Sequence, residues 1–128
     1  MFKQICTGKI HRATVTEANL NYEGSLTVDE TLMKASGMVP CEMVQITNVS
    51  NGAIWRTYLI PAPAGSGTIC LNGSSAHHFK PGDLIIIISY GYFRPEELPG
   101  VRPKIVLVDG ANRIKQAISQ EMPFTLDE

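Results

Sequence analysis

Three serines directly follow a glycine, in Gly24-Ser25, Gly65-Ser66 and Gly73-Ser74. Such a pair is the minimal equipment for backbone self-cleavage, but most Gly-Ser pairs are plain turns, so the surroundings decide. Gly65-Ser66 lies in PAPAGSGT, a loop composition. Gly24-Ser25 stands apart: Asn21-Tyr22-Glu23 precede it, and an apolar residue and a helix-start pattern follow at once. Other polar groups in or beside strand-like runs are Lys9, His11, Tyr22, Arg56, Thr57, Tyr58 and Asn72. His77 and His78 are adjacent, so they face opposite ways on a strand and diverge on a helix; a turn leading to Phe79 fits them better than a metal site. None of HExxH, GxSxG, GxxxxGK[ST] or GxGxxG occurs.

The elements that must position these groups are mostly strands. Glycine and proline cut the chain into short segments rich in Ile, Val, Thr and Tyr, a β pattern. KIHRATVT, residues 9–16, puts Lys9 and His11 on one strand face. MVQITNV and AIWRTYLI flank Asn51-Gly52 and predict a hairpin, as does Asp109-Gly110 between Lys104–Val108 and Arg113–Ile118. Asn72-Gly73, after a short run from Thr68 to Leu71, reads as a further hairpin turn. Leu84 to Ile88 is apolar without alternation, the pattern of a central strand buried on both faces. One helix of two or three turns is predicted: Thr27-Val28-Asp29-Glu30 matches a capping box, Leu32, Met33 and Ala35 give an apolar side, and Gly37 closes it. The tail beyond Glu121 reads as frayed. These elements predict a mainly β fold, a small closed or nearly closed barrel with the helix inserted after residue 26, because closure leaves no sticky strand edges.

Composition narrows the partners. The chain has 128 residues, 11 Lys and Arg against 12 Asp and Glu, and 44% hydrophobic residues. It reads as a single domain, 1–128, able to build a core. The basic excess of a nucleic-acid binder is missing, and so is any apolar run long enough to span a membrane. Cys6, Cys41 and Cys70 are widely spaced with no CxxC, and read as free, buried thiols of a cytoplasmic protein that binds no metal. A chain this short does not carry a large cofactor domain, so a reactive group would come from the chain itself or from a site between subunits.

These residues resemble the family of small pyruvoyl-dependent aspartate 1-decarboxylases. The likeness runs through residues 9–16, Tyr22-Glu23-Gly24-Ser25, Asn51-Gly52 with Thr57-Tyr58 at the matching distance, Asn72 to His77, and Pro81-Gly82-Asp83 before the isoleucine run, covering about residues 1–110 without a gap. No one motif is specific; their common order and spacing is. The resemblance implies a double-psi β-barrel assembled as a homotetramer. It implies that the precursor cuts itself between Gly24 and Ser25 into residues 1–24 and 25–128, with Ser25 becoming a pyruvoyl group in place of pyridoxal phosphate or a metal. The substrate implied is L-aspartate, decarboxylated to β-alanine for pantothenate synthesis.

The same resemblance assigns roles. Thr57 holds and polarises the Gly24 carbonyl attacked by Ser25, and glycine at position 24 tolerates strain there. The ketone formed from Ser25 condenses with the aspartate amine and takes up the electrons released with CO2, and Tyr58 donates the proton that replaces it. Gly73, Ser74 and Ser75 bind substrate, Lys9 lines the site, and His11, Tyr22 and Asn72 support it. One departure stands out: the family's carboxylate-binding arginine has become Ile54, while Arg56, two residues on and so on the same strand face, is available to replace it. Ser74-Ser75 stands where alanine or proline is more usual. Thr57 and Tyr58 point to opposite faces of a regular strand, so a bulge or a subunit boundary is needed to unite them. Two rivals remain open at this point, a non-catalytic β-barrel binding module and a pyruvoyl decarboxylase for another acidic amino acid. A maturation partner is compatible with either enzyme reading.

Overall fold

Strand pairing organises the molecule, and among the described residues the short segments cut by glycine and proline become nine strands and one α-helix. The structure, a computed structural model, describes residues 1–119. The strands are β1 (Lys3–Thr14), β2 (Glu17–Asn19), β3 (Ser25–Asp29), β4 (Met43–Asn48), β5 (Ile54–Ala62), β6 (Ile69–Asn72), β7 (Leu84–Phe93), β8 (Lys104–Val108) and β9 (Ile114–Ser119), with α1 at Glu30–Ser36. They form one ladder in the order β2-β6-β3-β5-β4-β7-β1-β8-β9. This is the expected mainly β, barrel-like sheet, but its two end strands do not pair, so the ladder itself stays open among the described residues. The long β1 bends at two register shifts, the second beside Arg12, whose φ of 60° is left-handed. The run from Gly8 to Ile10 pairs with β7 along one edge and with β8 along the other.

The core lies on one side of this ladder. Leu26, Leu59, Ile69, Leu71, Ile85 and Ile87 are fully buried, each from a strand that alternates inward and outward side chains. Expectation and structure differ at β7. It is internal, between β4 and β1, yet only Ile85, Ile87 and Ser89 are buried while Ile86 and Ile88 are half-buried, so its second face is only partly covered.

Two of the three predicted hairpins form, β4 with β5 around Gly52 (φ 76°) and β8 with β9 beyond Asp109. Asn72-Gly73 is not a hairpin turn. There β6 runs into a 3₁₀ turn, Gly73–His77, and the next strand pairs with β4 and β1 instead. The helix also differs from its capping-box reading. Thr27 is inside β3, and the N-cap is Asp29, which accepts from Thr31 N at 2.8 Å; the cross-strand bonds of β3 outcompete an earlier helix start. Gly37, φ 75°, closes the helix as expected. The three cysteines are free, but Cys41 is exposed and Cys6 half-buried, so only Cys70 is the buried thiol predicted. The predicted fraying beyond Glu121 lies outside the described residues. Among these, no helix is long and apolar enough to cross a membrane, and no group of His, Cys, Asp and Glu could hold a metal ion.

Candidate active site at the Gly24-Ser25 bond

The strands β2 and β3 lie on either side of β6, so the loop that joins them, with Gly24-Ser25 at its end, passes over the end of that strand. Ser25 opens β3 opposite Asn72, the last residue of β6, and Thr27 lies opposite Cys70. Alternation puts Leu26, Val28, Ile69 and Leu71 in the core and leaves Ser25, Thr27, Cys70 and Asn72 on the other face. These four are joined by hydrogen bonds. Asn72 Nδ2 donates to Ser25 Oγ at 2.9 Å and to Thr27 Oγ1 at 3.0 Å, and Asn72 Oδ1 accepts from Cys70 Sγ at 3.2 Å. Burial pushes the Cys70 thiol above its usual pKa, with Glu17 adding to the effect, so the thiol keeps its proton and remains a donor. Ser25 is only 1% exposed, yet its hydroxyl accepts from an amide and so keeps its own proton for another partner.

Glycine is required on the other side of this bond, at Gly73. Its φ of 75° is left-handed, and a methyl group built on it would lie 2.8 Å from Gly24 Cα and 3.0 Å from Gly24 N. Gly24 itself shows neither constraint: its φ is not left-handed, and a methyl group there meets nothing within 4 Å. Tyr22 is exposed and lines, with Thr27, Ile60, Cys70 and Asn72, a cavity of about 300 Å³ beside Ser25.

The strand β5 pairs parallel to β3, with Leu26 beside Leu59 and Thr27 beside Ile60. Carried back one residue, this register sets Ser25 beside Tyr58, on the face away from the core. Thr57 is buried and points the other way; β5 runs against β4 in unbroken register, so no bulge unites the two side chains. Arg56 shares the outward face with Ile54 and Tyr58 and lines a cavity of about 260 Å³ with Gln4, Met43 and Tyr90. Ser75 is buried and donates to the Asn72 carbonyl at 3.0 Å, while Ser74 is exposed.

Lys9 and His11 also face outward, but β5, β4 and β7 separate β1 from β3, roughly 19 Å across the sheet at the usual strand spacing. No hydrogen bond described links either of them to Ser25. The His11 Nδ1 atom is buried without a partner, and its pKa is lowered by burial, then by Lys9 and Arg12. Sequence reasoning missed the part played by Cys70 and Thr27. The signal was present as two pairs, Ser25/Thr27 and Cys70/Asn72, each spaced by two residues as side chains on one strand face are.

The family model described as aspartate decarboxylase matches residues 1–115. The chain is 52% identical over 125 residues to "Aspartate 1-decarboxylase" of Listeria monocytogenes, covering 98% of both chains. It is 52% identical over 126 residues to the protein of the same name from Anoxybacillus flavithermus, covering 98% of this chain and 99% of the relative. A Geobacillus protein of that name is 51% identical over 126 residues, with the same coverage.

Proposed function

The chain belongs to the aspartate decarboxylase family, and from that premise we propose that it matures by cutting its own backbone at Gly24-Ser25. It is a carboxy-lyase that converts L-aspartate to β-alanine and CO2, the β-alanine feeding pantothenate synthesis. The observation that carries the maturation reading is the Ser25 hydroxyl, buried at the scissile bond and held by Asn72 at 2.9 Å. Ser25 Oγ attacks the Gly24 carbonyl carbon, its proton passes to the departing amide nitrogen, and the amide becomes an ester. Loss of the Ser25 α-proton expels residues 1–24 as a carboxylate, and water then displaces ammonia to leave a pyruvoyl group. Residues 1–24 stay bound after the cut, because β1 is paired with β7 and β8 and β2 with β6.

The pyruvoyl ketone supplies the electron sink that decarboxylation requires. Tyr58, beside Ser25 on the outward face, donates a proton to the carbon that has lost its carboxylate. Thr57, on the opposite face of β5, serves the earlier cleavage by polarising the Gly24 carbonyl. Backbone N–H groups at Gly73, Ser74 and Ser75 hold a substrate carboxylate, and Arg56 takes the second in place of the arginine missing at Ile54. Lys9 reaches the site from a neighbouring copy in a homotetramer, a reading supported by the place of β1 four strands along the ladder from β3. The reaction belongs in the cytoplasm, in keeping with free thiols at Cys6, Cys41 and Cys70.

Intact mass tests the reading. The expected result is two pieces, residues 1–24 and 25–128, the larger blocked to Edman degradation and reactive toward borohydride. A chain that stays whole, with a free Ser25 after prolonged incubation, would sink the maturation reading in favour of a silent barrel. CO2 release from aspartate, glutamate and cysteine sulfinate then ranks substrates. Arg56→Ala should raise the KM for aspartate about tenfold or more, the loss of one charge-assisted hydrogen bond; an unchanged KM removes Arg56 from the site.

A further inference from the structure

We propose that Gly73 is the positioning residue for self-cleavage: its bare α-carbon is the seat that holds the Gly24 peptide against the Asn72-bound hydroxyl of Ser25. The inference rests on the cleavage reading above and deepens it, because it concerns how the electrophile, rather than the nucleophile, is held. Asn72 and Gly73 are consecutive and divide the work. The amide of Asn72 holds Ser25 Oγ at 2.9 Å. One residue on, the chain turns with φ 75° and brings Gly73 so close to the loop that a methyl group there would lie 2.8 Å from Gly24 Cα, 3.0 Å from Gly24 N and 3.2 Å from the Tyr22 carbonyl oxygen. All three contacts fall on the segment that carries the carbonyl to be attacked, and all three are backbone atoms, which cannot swing aside as a long side chain can. That segment is an exposed loop. A side chain at 73 therefore pushes Tyr22 to Gly24 outward while Ser25, buried and paired with Asn72, stays behind. The distance between hydroxyl and carbonyl opens, and the attack loses its alignment.

Two requirements coincide at Gly73, the left-handed backbone and the close approach, and they can be separated. Gly82 has a left-handed φ of 93° but nothing within 4 Å of a built methyl group, so Gly82→Ala carries the backbone strain alone. Asparagine tolerates the left-handed region while keeping a Cβ, so Gly73→Asn relieves the strain and retains the clash. In the full-length chain, conversion of precursor is followed by intact mass, the ester is trapped as a hydroxamate with hydroxylamine, and thermal melting reports the fold.

Gly82→Ala should be cut at the unaltered chain's rate. Gly73→Ala and Gly73→Asn should both be cut about 100-fold more slowly, the scale set by an ångström of misplacement, with little trapped ester and with melting close to that of Gly82→Ala. Either Gly73 variant cut at the Gly82→Ala rate overturns the inference. So does a Gly73→Asn chain that no longer folds, because the contact would then serve the fold instead of the scissile bond. If the unaltered chain is not cut, the maturation reading fails in the control arm and takes this inference with it.

Discussion

The strand β3 has two ends that are built alike in composition and differently in wiring. At one end Ser25 and at the other Asp29 are buried polar residues, 1% and 2% exposed, flanking the same apolar Leu26 and Val28. Asp29 accepts from three backbone N–H groups, Thr31 at 2.8 Å, Gly65 at 3.0 Å and Gly67 at 2.9 Å. It caps α1 and ties down the loop before β6 in one stroke. Ser25 is held by a single side-chain amide, which shares itself with Thr27 and is itself oriented by Cys70. A carboxylate bound to backbone fixes the fold; a hydroxyl bound to a side chain leaves a proton and a lone pair free to react. Position alone does not separate the two ends. The partner does.

The strongest way to break this contrast is Ser25→Ala. It should abolish cleavage and decarboxylation together, while stability shifts by no more than about 1 kcal/mol, the net worth of one neutral hydrogen bond. Intact mass, CO2 release and thermal melting read the three quantities. A large loss of stability would show that Ser25 anchors the strand as Asp29 does.

Asp29→Asn is the mirror experiment. Its amide would set N–H groups against the N–H of Gly67, costing about 2–3 kcal/mol and lowering the melting temperature by roughly 10 °C. Cleavage should continue wherever the chain remains folded. Burial raises the Asp29 carboxyl, but donation from Gly67, Thr31 and Gly65 outweighs it, and the net pKa is below the usual carboxylate range. The folded state thus binds this proton less readily than the unfolded chain. The stabilisation is complete above the unfolded pKa of about 3.9 and is lost as pH falls through the lower folded value. Denaturant titrations from neutral to strongly acid pH should show a steeper acid loss in the unaltered chain than in Asp29→Asn; equal slopes would refute the anchor.

This asymmetry was half legible in the sequence. Asn51-Gly52 and Asp109-Gly110 marked two hairpins, because those signals are local. The second Asn-Gly misled: Gly73 needs a left-handed backbone as a hairpin turn does, but for a close approach to Gly24, across a chain separation no short window spans. Asp29 was misread for the same reason. Thr27 satisfies a local capping rule, yet β5 and β6 claim it for a strand, and only their pairing moves the cap to Asp29. The alternation of Thr57 and Tyr58 was readable and held, whereas the place of β1 four strands along the ladder from β3 depends on strand order, which no motif encodes.

Within the reactive end, Asn72→Ala should slow cleavage about tenfold, since a hydrogen bond worth about 1–1.5 kcal/mol no longer fixes Ser25 Oγ. Conversion kinetics measure this directly, and an unchanged rate would mean that the loop, and not Asn72, positions the nucleophile.

The finest distinction concerns Cys70, which touches neither Gly24 nor Ser25 in any hydrogen bond described and acts only through Asn72. Its thiol donates to Asn72 Oδ1 and thereby leaves Nδ2 pointing at the two hydroxyls. Without that donor the amide is free to turn over and present an acceptor to Ser25. A thiol is a weak donor, so Cys70→Ala should slow cleavage only about two- to fivefold, equivalent to roughly 0.5–1 kcal/mol. A lost apolar contact in β6 would also lower stability, so melting alone does not discriminate. The discriminating readout is the double variant: with Asn72→Ala already present, removing Cys70 should slow cleavage no further, because its effect has no other route. Additive slowing would show that Cys70 acts on the scissile bond through packing, and would make the two ends of β3 more alike than their hydrogen bonds imply.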